Sequence, residues 1–266
     1  MLMLLSPAKM MNFEEAPDAP KATKPVLSKN LTEITEIAQK LKKSDLKRMM
    51  GISDKLVELN YERFQALKTS GRINGAKQAA LTFAGDVYRG LDANSLKPAE
   101  LEFAQDHLRI LSGLYGLLRP LDGIQPYRLE MGSRLKNPRG AKLVDYWLPI
   151  IANELNKSVK THKDPTIVCL ASNEYAKCID HKVLKAPFIM FNFKEIKDGK
   201  ARAMMIYVKQ ARGMMARWAI QNRIEKAEDL KKFSVGGYRF SKPLSSEDEW
   251  VFTRPQPPKK NKKAKR

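Results

Sequence analysis

Residues 81–132 decide the fold; they read LTFAGDVYRGLDANSLKPAELEFAQDHLRILSGLYGLLRPLDGIQPYRLEMG. The stretch alternates apolar runs with glycines and single charges, a pattern that one regular helix or strand does not produce. Glycine is favoured where the backbone φ is positive or where another group approaches the backbone closely. Pro120, Gly123 and Pro126 add turns near the end of the stretch. The pattern predicts a scaffold of short elements that presents a polar site.

The composition excludes several classes of protein. A chain of 266 residues can bury a large core without disulfides, and its two cysteines, Cys169 and Cys178, are not in a CxxC pair. The three histidines are far apart, which argues against a zinc site. No apolar run is long enough to span a membrane, and Ser6-Pro7 ends the first apolar run too early for a signal peptide. We therefore expect a cytoplasmic monomer with no metal, no other cofactor and no membrane partner.

The charge is the strongest signal in the composition. The formal net charge is +20, and the last ten residues, PPKKNKKAKR, hold six Lys and Arg residues and no acid. Without those six charges the rest of the chain still carries +14. Such an excess favours a polyanion as partner, although it also serves solubility alone. We expect one domain over residues 1–254 and a basic, disordered tail over residues 255–266.

Hydrophobic spacing predicts a mixture of helices and strands. The strands are expected over residues 2–5, 109–118, 166–170, 188–193 and 203–208. The helices are expected over residues 31–41, 44–50, 54–67, 75–83, 96–107, 141–159 and 209–223. Asp198-Gly199 is typical of a hairpin turn, and residues 236–240 and 249–253 of a closing β pair. The order predicts a single domain of mixed α/β (α+β) class, with a central mixed sheet and helices around it.

Two of the predicted helices flank the turn Gly51-Ile52-Ser53, an outline typical of a helix-hairpin-helix element. In such elements the backbone N–H groups of the turn and of the next helix N-terminus bind a DNA phosphate. Ser53 stands where a second turn glycine is usual, and two helices joined by a glycine turn also pack together without any ligand. Both interpretations stay open from the sequence.

Polar motifs follow two of the predicted strands. SPAK at residues 6–9 follows the first strand, and ASNEY at residues 171–175 follows the strand at 166–170. Open α/β sheets gather ligand-binding groups at the carboxyl ends of their strands. Lys209 and Arg212 share one face near the start of the last predicted helix, where the helix dipole disfavours cations. They indicate either an anionic partner or pairing with nearby carboxylates.

Taken together, these segments resemble the YaaA family of bacterial peroxide stress proteins. The matching motifs are SPAK (6–9), ISDKL (52–56), GDVYRGL (85–91), LSGLYGLLRPLDGIQPYRLEMG (111–132), LASNEYAK (170–177), KQARGMMARW (209–218) and GGYRF (236–240). They cover almost the whole chain apart from the basic tail. The resemblance implies a cytosolic protein that binds duplex DNA and limits oxidative damage, with a helix-hairpin-helix-like element in an unusual mixed α/β fold. The ISDKL segment is where that element would lie.

The first functional hypothesis is a DNA-binding protein of the peroxide stress response. Double-stranded DNA would be bound through its phosphates, and little sequence specificity is expected because no helix carries an obvious Asn/Arg set for reading bases. The candidate phosphate contacts are Lys9, Lys55, Arg128, Lys209, Arg212 and Arg217. The residues expected to line the same cleft are Ser6, Tyr88, Tyr127, Ser172 and Tyr175.

The alternative is an enzyme that acts on a nucleic acid or a nucleotide, by base excision or hydrolysis. Its candidate catalytic residues are Lys9, Asp86, Glu130 and Glu174, with a lysine made nucleophilic by burial as one route. Tyr127 and Tyr175 could stack on a base. The structural interpretation is that Asp86 pairs with Arg128, and Glu130 with a buried arginine, only to hold the fold.

A third hypothesis, iron or metal handling, needs Asp86, Glu130 and Glu174 to meet around one ion. Without histidine or cysteine ligands this set is thin, so we rank the hypothesis last. The hypotheses built on the cleft share one geometric requirement. The motifs that contain Ser6, Asp86, Arg128, Ser172 and Lys209 must fold together around a single cleft.

Overall fold

The computed structural model describes residues 1–14, 19–70 and 75–258. The strands are β1 Leu2–Leu5, β2 Met10–Met11, β3 Lys77–Gln78, β4 Phe83–Ala84, β5 Leu108–Ser112, β6 Gly116–Leu118, β7 Gly123–Ile124, β8 Ile167–Cys169, β9 Phe188–Lys197, β10 Lys200–Arg202, β11 Arg239–Phe240 and β12 Glu249–Pro255. The α-helices are α1 Ser28–Gln39, α2 Lys43–Met50, α3 Asp54–Ala66, α4 Ala79–Thr82, α5 Asp86–Leu91, α6 Pro98–His107, α7 Leu143–Ser158, α8 Asn173–Ala176 and α9 Met205–Gln221.

The central sheet has the strand order β11-β12-β9-β8-β1-β5-β6, and β10 pairs with β9 beside it. Five inner strands run parallel to one another, namely β12, β9, β8, β1 and β5. The antiparallel pairs are β5–β6, β9–β10 and β11–β12. Helices α6 and α9 contact the sheet at β1. The described residues thus form one mixed α/β domain with a central mixed sheet, which confirms the predicted fold class.

Strand β1 lies between β5 and β8, and its four residues are fully buried. Parallel strands that are covered on both faces read as continuous apolar runs, and the sequence Leu-Met-Leu-Leu fits that rule. Because β1 and β8 are parallel, with Leu4 opposite Cys169, their carboxyl ends meet at the same edge. Ser6 and Ser172, which follow these strands, therefore lie side by side.

Two secondary-structure predictions, one for residues 75–83 and one for residues 109–118, are wrong in part. The predicted helix over residues 75–83 is helical only at α4, because β3 before it pairs with β7 and β4 after it pairs with β2. The predicted single strand over residues 109–118 is a hairpin of β5 and β6, with Gly116 at a φ of +69°. In the first case long-range backbone pairing overrides a local apolar pattern, and in the second a tight turn folds the apolar run back on itself.

The predicted strand over residues 203–208 is also wrong. Strand β10 ends at Arg202 after the predicted hairpin turn, and α9 begins at Met205. A short apolar run such as Ala-Met-Met-Ile-Tyr-Val suits a buried strand or a helix equally well, so periodicity cannot separate the two. As a result Lys209 lies a full turn inside α9 rather than at its start.

The predicted domain boundary at residue 254 falls inside β12, which extends to Pro255 and pairs there with Ile196. The backbone N–H of Gln256 also donates to the Ile196 carbonyl oxygen at 2.9 Å. The ordered chain therefore continues past the predicted start of the tail, and residues 259–266 lie outside the described residues. Among the described helices, none combines the length and apolar character needed to cross a bilayer.

The two helices predicted on either side of the turn Gly51-Ile52-Ser53 are present as α2 and α3. Gly51 ends α2 in the left-handed conformation, with a φ of 60°, and its N–H donates to the Lys47 carbonyl oxygen. The two helices contact one another. This geometry is that of a helical hairpin, whereas a role for the hairpin in binding DNA remains a prediction.

A buried carboxylate secures the start of α9. Glu195 is 1% exposed, and its Oε1 accepts a hydrogen bond from the Tyr238 hydroxyl at 2.5 Å and faces Arg254 Nε at 3.4 Å. Its Oε2 accepts from the backbone N–H of Met204 at 3.2 Å, directly before the helix. Since the Arg254 guanidinium also stacks on the Tyr238 ring, the GGYRF motif and β12 together hold the first turn of α9 on β9.

Helices α5 and α9 cross at two glycines. A Cβ atom at Gly213 would collide with the carbonyl oxygen of Val87, and one at Gly90 with the carbonyl oxygen of Gln210. The two backbones are therefore in direct contact, closer than any side chain would allow. This crossing fixes the side chains at the start of α5 relative to those on the first turns of α9.

We expect Gly213→Ala to destabilise the protein. Alanine favours an α-helix over glycine by about 1 kcal/mol, but the collision at the crossing outweighs this gain. The free energy of unfolding should fall by about 1–3 kcal/mol, as in overpacked cores, and urea denaturation measures it.

Gly123→Ala is the matched control, because its new Cβ would lie 3.4 Å from the Ala22 Cβ in ordinary contact. The control should change stability by less than about 0.5 kcal/mol. Equal stability of Gly213→Ala and wild type would show that the crossing tolerates a side chain.

Candidate functional site

A cavity of about 710 Å³ opens where the carboxyl ends of β1 and β8 meet. Its walls come from the segment after β1, the start of α5, residues 127–130, the start of α8, β9 and the first turns of α9. Residues 84–88 and 127–130 both belong to the glycine-rich stretch that opened the sequence analysis. That stretch thus presents polar groups to a cavity, as its pattern predicted.

The cavity gathers most of the site residues that the sequence predicted. Those that line it are Ser6, Lys9, Asp86, Tyr88, Tyr127, Arg128, Glu130, Ser172, Glu174, Tyr175, Lys209 and Arg212. The motifs that contain them are remote in sequence, so the expected convergence on one cleft is observed.

Two predicted phosphate contacts lie outside the cavity lining. Lys55 is an exposed residue in the first turn of α3. Arg217 lies five residues beyond Arg212 on α9, and its NH1 donates to the carbonyl oxygens of Leu91 and Asp92 at 3.0 and 2.7 Å. In this fold Arg217 caps the end of α5, because the turn of the helix carries it away from the cavity.

Three hydrogen bonds fix the floor of the cavity. The backbone N–H of Ser172 donates to Ser6 Oγ at 2.8 Å, and the two serine hydroxyls are 3.3 Å apart. The Tyr88 hydroxyl donates to the Ser6 carbonyl oxygen at 3.0 Å. These bonds tie β1, β8 and α5 together at the point where the polar motifs begin.

The cavity carboxylates are all engaged by the protein. Glu130 Oε1 lies 2.9 Å from Lys9 Nζ and 3.2 Å from Arg128 Nη2. Glu130 therefore pairs with an arginine as predicted, although Arg128 is half-buried rather than buried. The predicted pairing of Asp86 with Arg128 is wrong. Asp86 pairs instead with Arg89, one turn later on α5, because Glu130 already holds Arg128. Glu174 Oε1 accepts from the Gly132 N–H at 3.3 Å.

These contacts bear on the catalytic and metal hypotheses. Within the described part of the chain, no three His, Cys, Asp or Glu side chains come close enough to hold a metal ion, so the proposed meeting of Asp86, Glu130 and Glu174 does not occur. The Lys9 side chain is 62% exposed and paired with Glu130. It therefore lacks the burial that would turn a lysine into a nucleophile.

Three tyrosines form an apolar wall rather than a set of free hydroxyls. Tyr88, Tyr127 and Tyr175 are at most 8% exposed, and burial raises the pKa of all three, so their phenols stay neutral. The Tyr127 hydroxyl bonds Ser112 Oγ at 2.6 Å, and its ring packs edge-on against Phe83 and Tyr115. Since these neighbours enclose the Tyr127 ring, little of its face remains for the predicted stacking on a base.

Arg212 is the least compensated charge in the cavity. The residue is 6% exposed, and its Nε is buried without a hydrogen-bond acceptor. Burial removes water from its guanidinium and so lowers the pKa of the group. Across residues 1–14, 19–70 and 75–258, no carboxylate oxygen lies within 4 Å of it, so the predicted alternative of pairing with Asp or Glu is wrong for this residue. Arg128 Nε is also buried without an acceptor.

Both cysteines of the chain are buried free thiols, and Cys169 ends β8 behind the cavity. Burial raises the pKa of the Cys169 thiol to about 11 and also raises that of Cys178. The thiolate is the form that reacts with peroxide, so neither thiol is suited to peroxide chemistry at neutral pH.

The sequence analysis missed several residues of the cavity wall. Asn192 and Lys194 reach it from β9, and Met10 and Met205 line it with side chains that are 69% and 60% exposed. The predicted strand ended at Phe193, one residue before Lys194. Asn192 inside the apolar run and Lys194 directly after it were the signal that could have identified this wall.

The buried thiols predict a specific pH dependence of stability. An exposed thiol has a pKa of about 8.5, so above that pH the unfolded chain loses protons that the folded chain keeps. The free energy of unfolding should therefore fall as pH rises from about 8.5 towards 11. Urea denaturation at neutral pH and near pH 10 should show a loss of about 1–2 kcal/mol per thiol.

The variant Cys169→Ala is the control for this effect, because other groups also titrate at high pH. It should lose less stability than wild type over the same interval. Identical losses in both proteins would show that Cys169 does not carry the effect.

Comparison with known proteins identifies relatives over the full chain. The family model of peroxide stress protein YaaA matches residues 1–244. A UPF0246 protein of Caulobacter vibrioides is 50% identical over 257 residues, which cover 97% of this chain and 100% of that protein. A UPF0246 protein of Maricaulis maris is 52% identical over 264 residues, 99% of this chain and 100% of that protein. The chain therefore belongs to the family described as peroxide stress protein YaaA.

Proposed function

We propose that this protein binds double-stranded DNA during the response to peroxide, through phosphate contacts with little sequence specificity. Membership of the peroxide stress family supports a role in the oxidative stress response. The observation that carries the DNA-binding proposal is the excess of cations around the cavity. Its lining contains Lys9, Arg128, Lys194, Lys209 and Arg212 against the carboxylates of Asp86, Glu130 and Glu174.

The arrangement of these cations suits a polyanion. Lys9 and Lys209 are exposed, whereas Arg128 and Arg212 lie deeper. Clefts of one charge sign with low-dielectric walls concentrate the electrostatic field and attract oppositely charged partners. A backbone of phosphates can therefore be drawn to the exposed lysines before any group reaches the arginines. The +14 charge that remains without the tail supports the same interpretation.

The hairpin of α2 and α3 offers a second phosphate contact. Ser53 precedes α3, but its side chain makes no capping hydrogen bond. The first N–H groups of a helix have no partner within the helix, so they can bind an anion when no side chain caps them. Lys55 lies in this first turn and adds a positive charge, while Asp54 beside it pairs with Lys47. We include this turn in the proposed DNA interface.

A salt titration of duplex binding tests the proposal. The association constant should fall linearly with salt concentration on logarithmic axes, because each phosphate contact releases a bound counterion. The full chain and a variant that ends at residue 258 should both bind, with the full chain tighter. Fluorescence anisotropy of a labelled duplex measures both affinities, and salt-insensitive or absent binding by the shorter variant would overturn the proposal.

Lys209→Gln should reduce the slope of that titration by about 1, since one phosphate contact is lost. Lys232→Gln is the control, because Lys232 pairs with Asp229 and does not line the cavity. It should leave the slope almost unchanged. Equal slopes for the two variants would place the DNA elsewhere on the surface.

Glu130→Gln should bind duplex DNA more tightly than wild type. The substitution releases Lys9 and Arg128 from their carboxylate partner, so both cations become available to phosphates. We expect an increase in affinity of about two- to fivefold at low salt, with a loss of stability below about 1 kcal/mol.

Asp229→Asn breaks an exposed pair outside the cavity and serves as the matched control. It should change neither affinity nor stability. Weaker binding by Glu130→Gln would contradict the electrostatic role that we give to Glu130.

A further inference from the structure

The Arg212 guanidinium is buried deep in the wall of the cavity without a counter-charge. It is 6% exposed, its Nε has no acceptor, and within the described chain no carboxylate oxygen approaches within 4 Å. An isolated buried charge destabilises a protein unless a partner compensates it. Arg128, which shares Glu130 Oε1 with Lys9, contributes a second buried Nε that has no acceptor.

We propose that the cavity binds one nucleotide, whose phosphate is held by Arg212 and Arg128. The inference rests on the proposed function, because the same cavity receives the nucleic acid. It specifies that a single nucleotide enters the cavity. Arginine presents several N–H donors in a planar fork, which matches the oxygens of a phosphate. The ligand would supply the negative charge that the described residues do not.

The size and lining of the cavity fit this ligand. A volume of about 710 Å³ lies within the range of pockets for small molecules, so a single nucleotide can enter, whereas an intact duplex cannot. The buried rings of Tyr88 and Tyr175, with Phe193 and Val208, give the cavity an apolar wall against which a base can lie. Asn192 adds an amide that can hydrogen-bond a base edge.

The mouth of the cavity indicates where the nucleotide comes from. Met10 and Met205 line the cavity, yet their apolar side chains are 69% and 60% exposed. Apolar side chains of this kind enter base stacks when proteins unstack a duplex. We infer that the nucleotide is turned out of a DNA duplex, with these methionines in the gap that it leaves. A free mononucleotide would make the same phosphate contacts without needing the two methionines.

The experiment uses the full chain and three readouts. Duplex binding is followed by anisotropy, and eversion by the fluorescence of aminopurine placed at a mismatch inside the duplex. Titration calorimetry with deoxyadenosine monophosphate tests the free nucleotide. Aminopurine fluorescence should rise when the protein binds, because the base leaves the stack.

Arg212→Met separates a ligand-binding role from a structural one. The substitution removes an unpaired buried charge and keeps an apolar stem, so the melting temperature without ligand should rise. The aminopurine signal should be lost, and nucleotide affinity should fall about 10- to 100-fold. Arg212→Lys, which keeps the charge, should retain part of the aminopurine signal and part of the nucleotide affinity. A lower melting temperature for Arg212→Met would assign Arg212 to the fold and overturn the inference.

Met205→Ser tests the source of the nucleotide. It should reduce the aminopurine signal while leaving the affinity for the duplex within about twofold. Ile206→Ser is the matched control, because Ile206 is 55% exposed, adjacent on α9 and outside the cavity lining. It should leave the aminopurine signal unchanged.

The outcomes distinguish this inference from the proposed function. Mononucleotide binding that Arg212→Met abolishes, without an aminopurine signal, would support the nucleotide site and assign it to free nucleotides. The same binding in a protein that does not bind duplex DNA would overturn the proposed function alone. Duplex binding with neither an aminopurine signal nor mononucleotide binding would overturn the inference alone. Failure of all three readouts would overturn both.

Discussion

The backbone contact between α5 and α9 is the constraint on which the cavity depends. At this crossing Gly90 and Gly213 each face a carbonyl oxygen of the other helix, so there is no room for a side chain. Asp86 and Tyr88 on one helix and Lys209 and Arg212 on the other thereby reach the same cavity. Glu195 holds the first turn of α9 on the sheet from the other side. Two glycines and one buried carboxylate thus set the positions of groups that are more than one hundred residues apart.

The electrostatics of the cavity are asymmetric. Lys9 and Arg128 share the single carboxylate of Glu130, and Asp86 is paired with Arg89, so the protein itself balances part of this positive charge. Arg212 differs from them, because its guanidinium is buried, its Nε has no acceptor and no carboxylate oxygen in the described part of the chain lies within 4 Å. A fold that keeps such a group gives up stability in its empty state, and that loss is recovered when an anion binds.

The sequence predicted the parts of the structure that local rules govern. The four apolar residues of β1 fit the rule for a strand buried on both faces, and motifs that follow parallel strands meet at one sheet edge. What could not be predicted depends on partners remote in sequence. The start of α9 at Met205 depends on contacts with Glu195 and β12. Arg128 pairs with Glu130 rather than with Asp86, and this depends on the path that residues 127–130 take along the cavity. Lys194 was missed because its strand extends further than its apolar run.

Exposure to solvent differs sharply between the two cysteines and the two methionines at the mouth of the cavity. Cys169 and Cys178 are buried in the core, where burial raises the pKa of both thiols. The thioethers of Met10 and Met205 are exposed to solvent. Oxidation of a thioether adds a polar oxygen and gives a sulfoxide, which reductases can convert back. Oxidation of these two residues to the sulfoxide would make the mouth of the cavity polar and leave the residues of its interior unchanged. The two thioethers at the mouth of the cavity are thus more accessible to oxidants than the buried thiols.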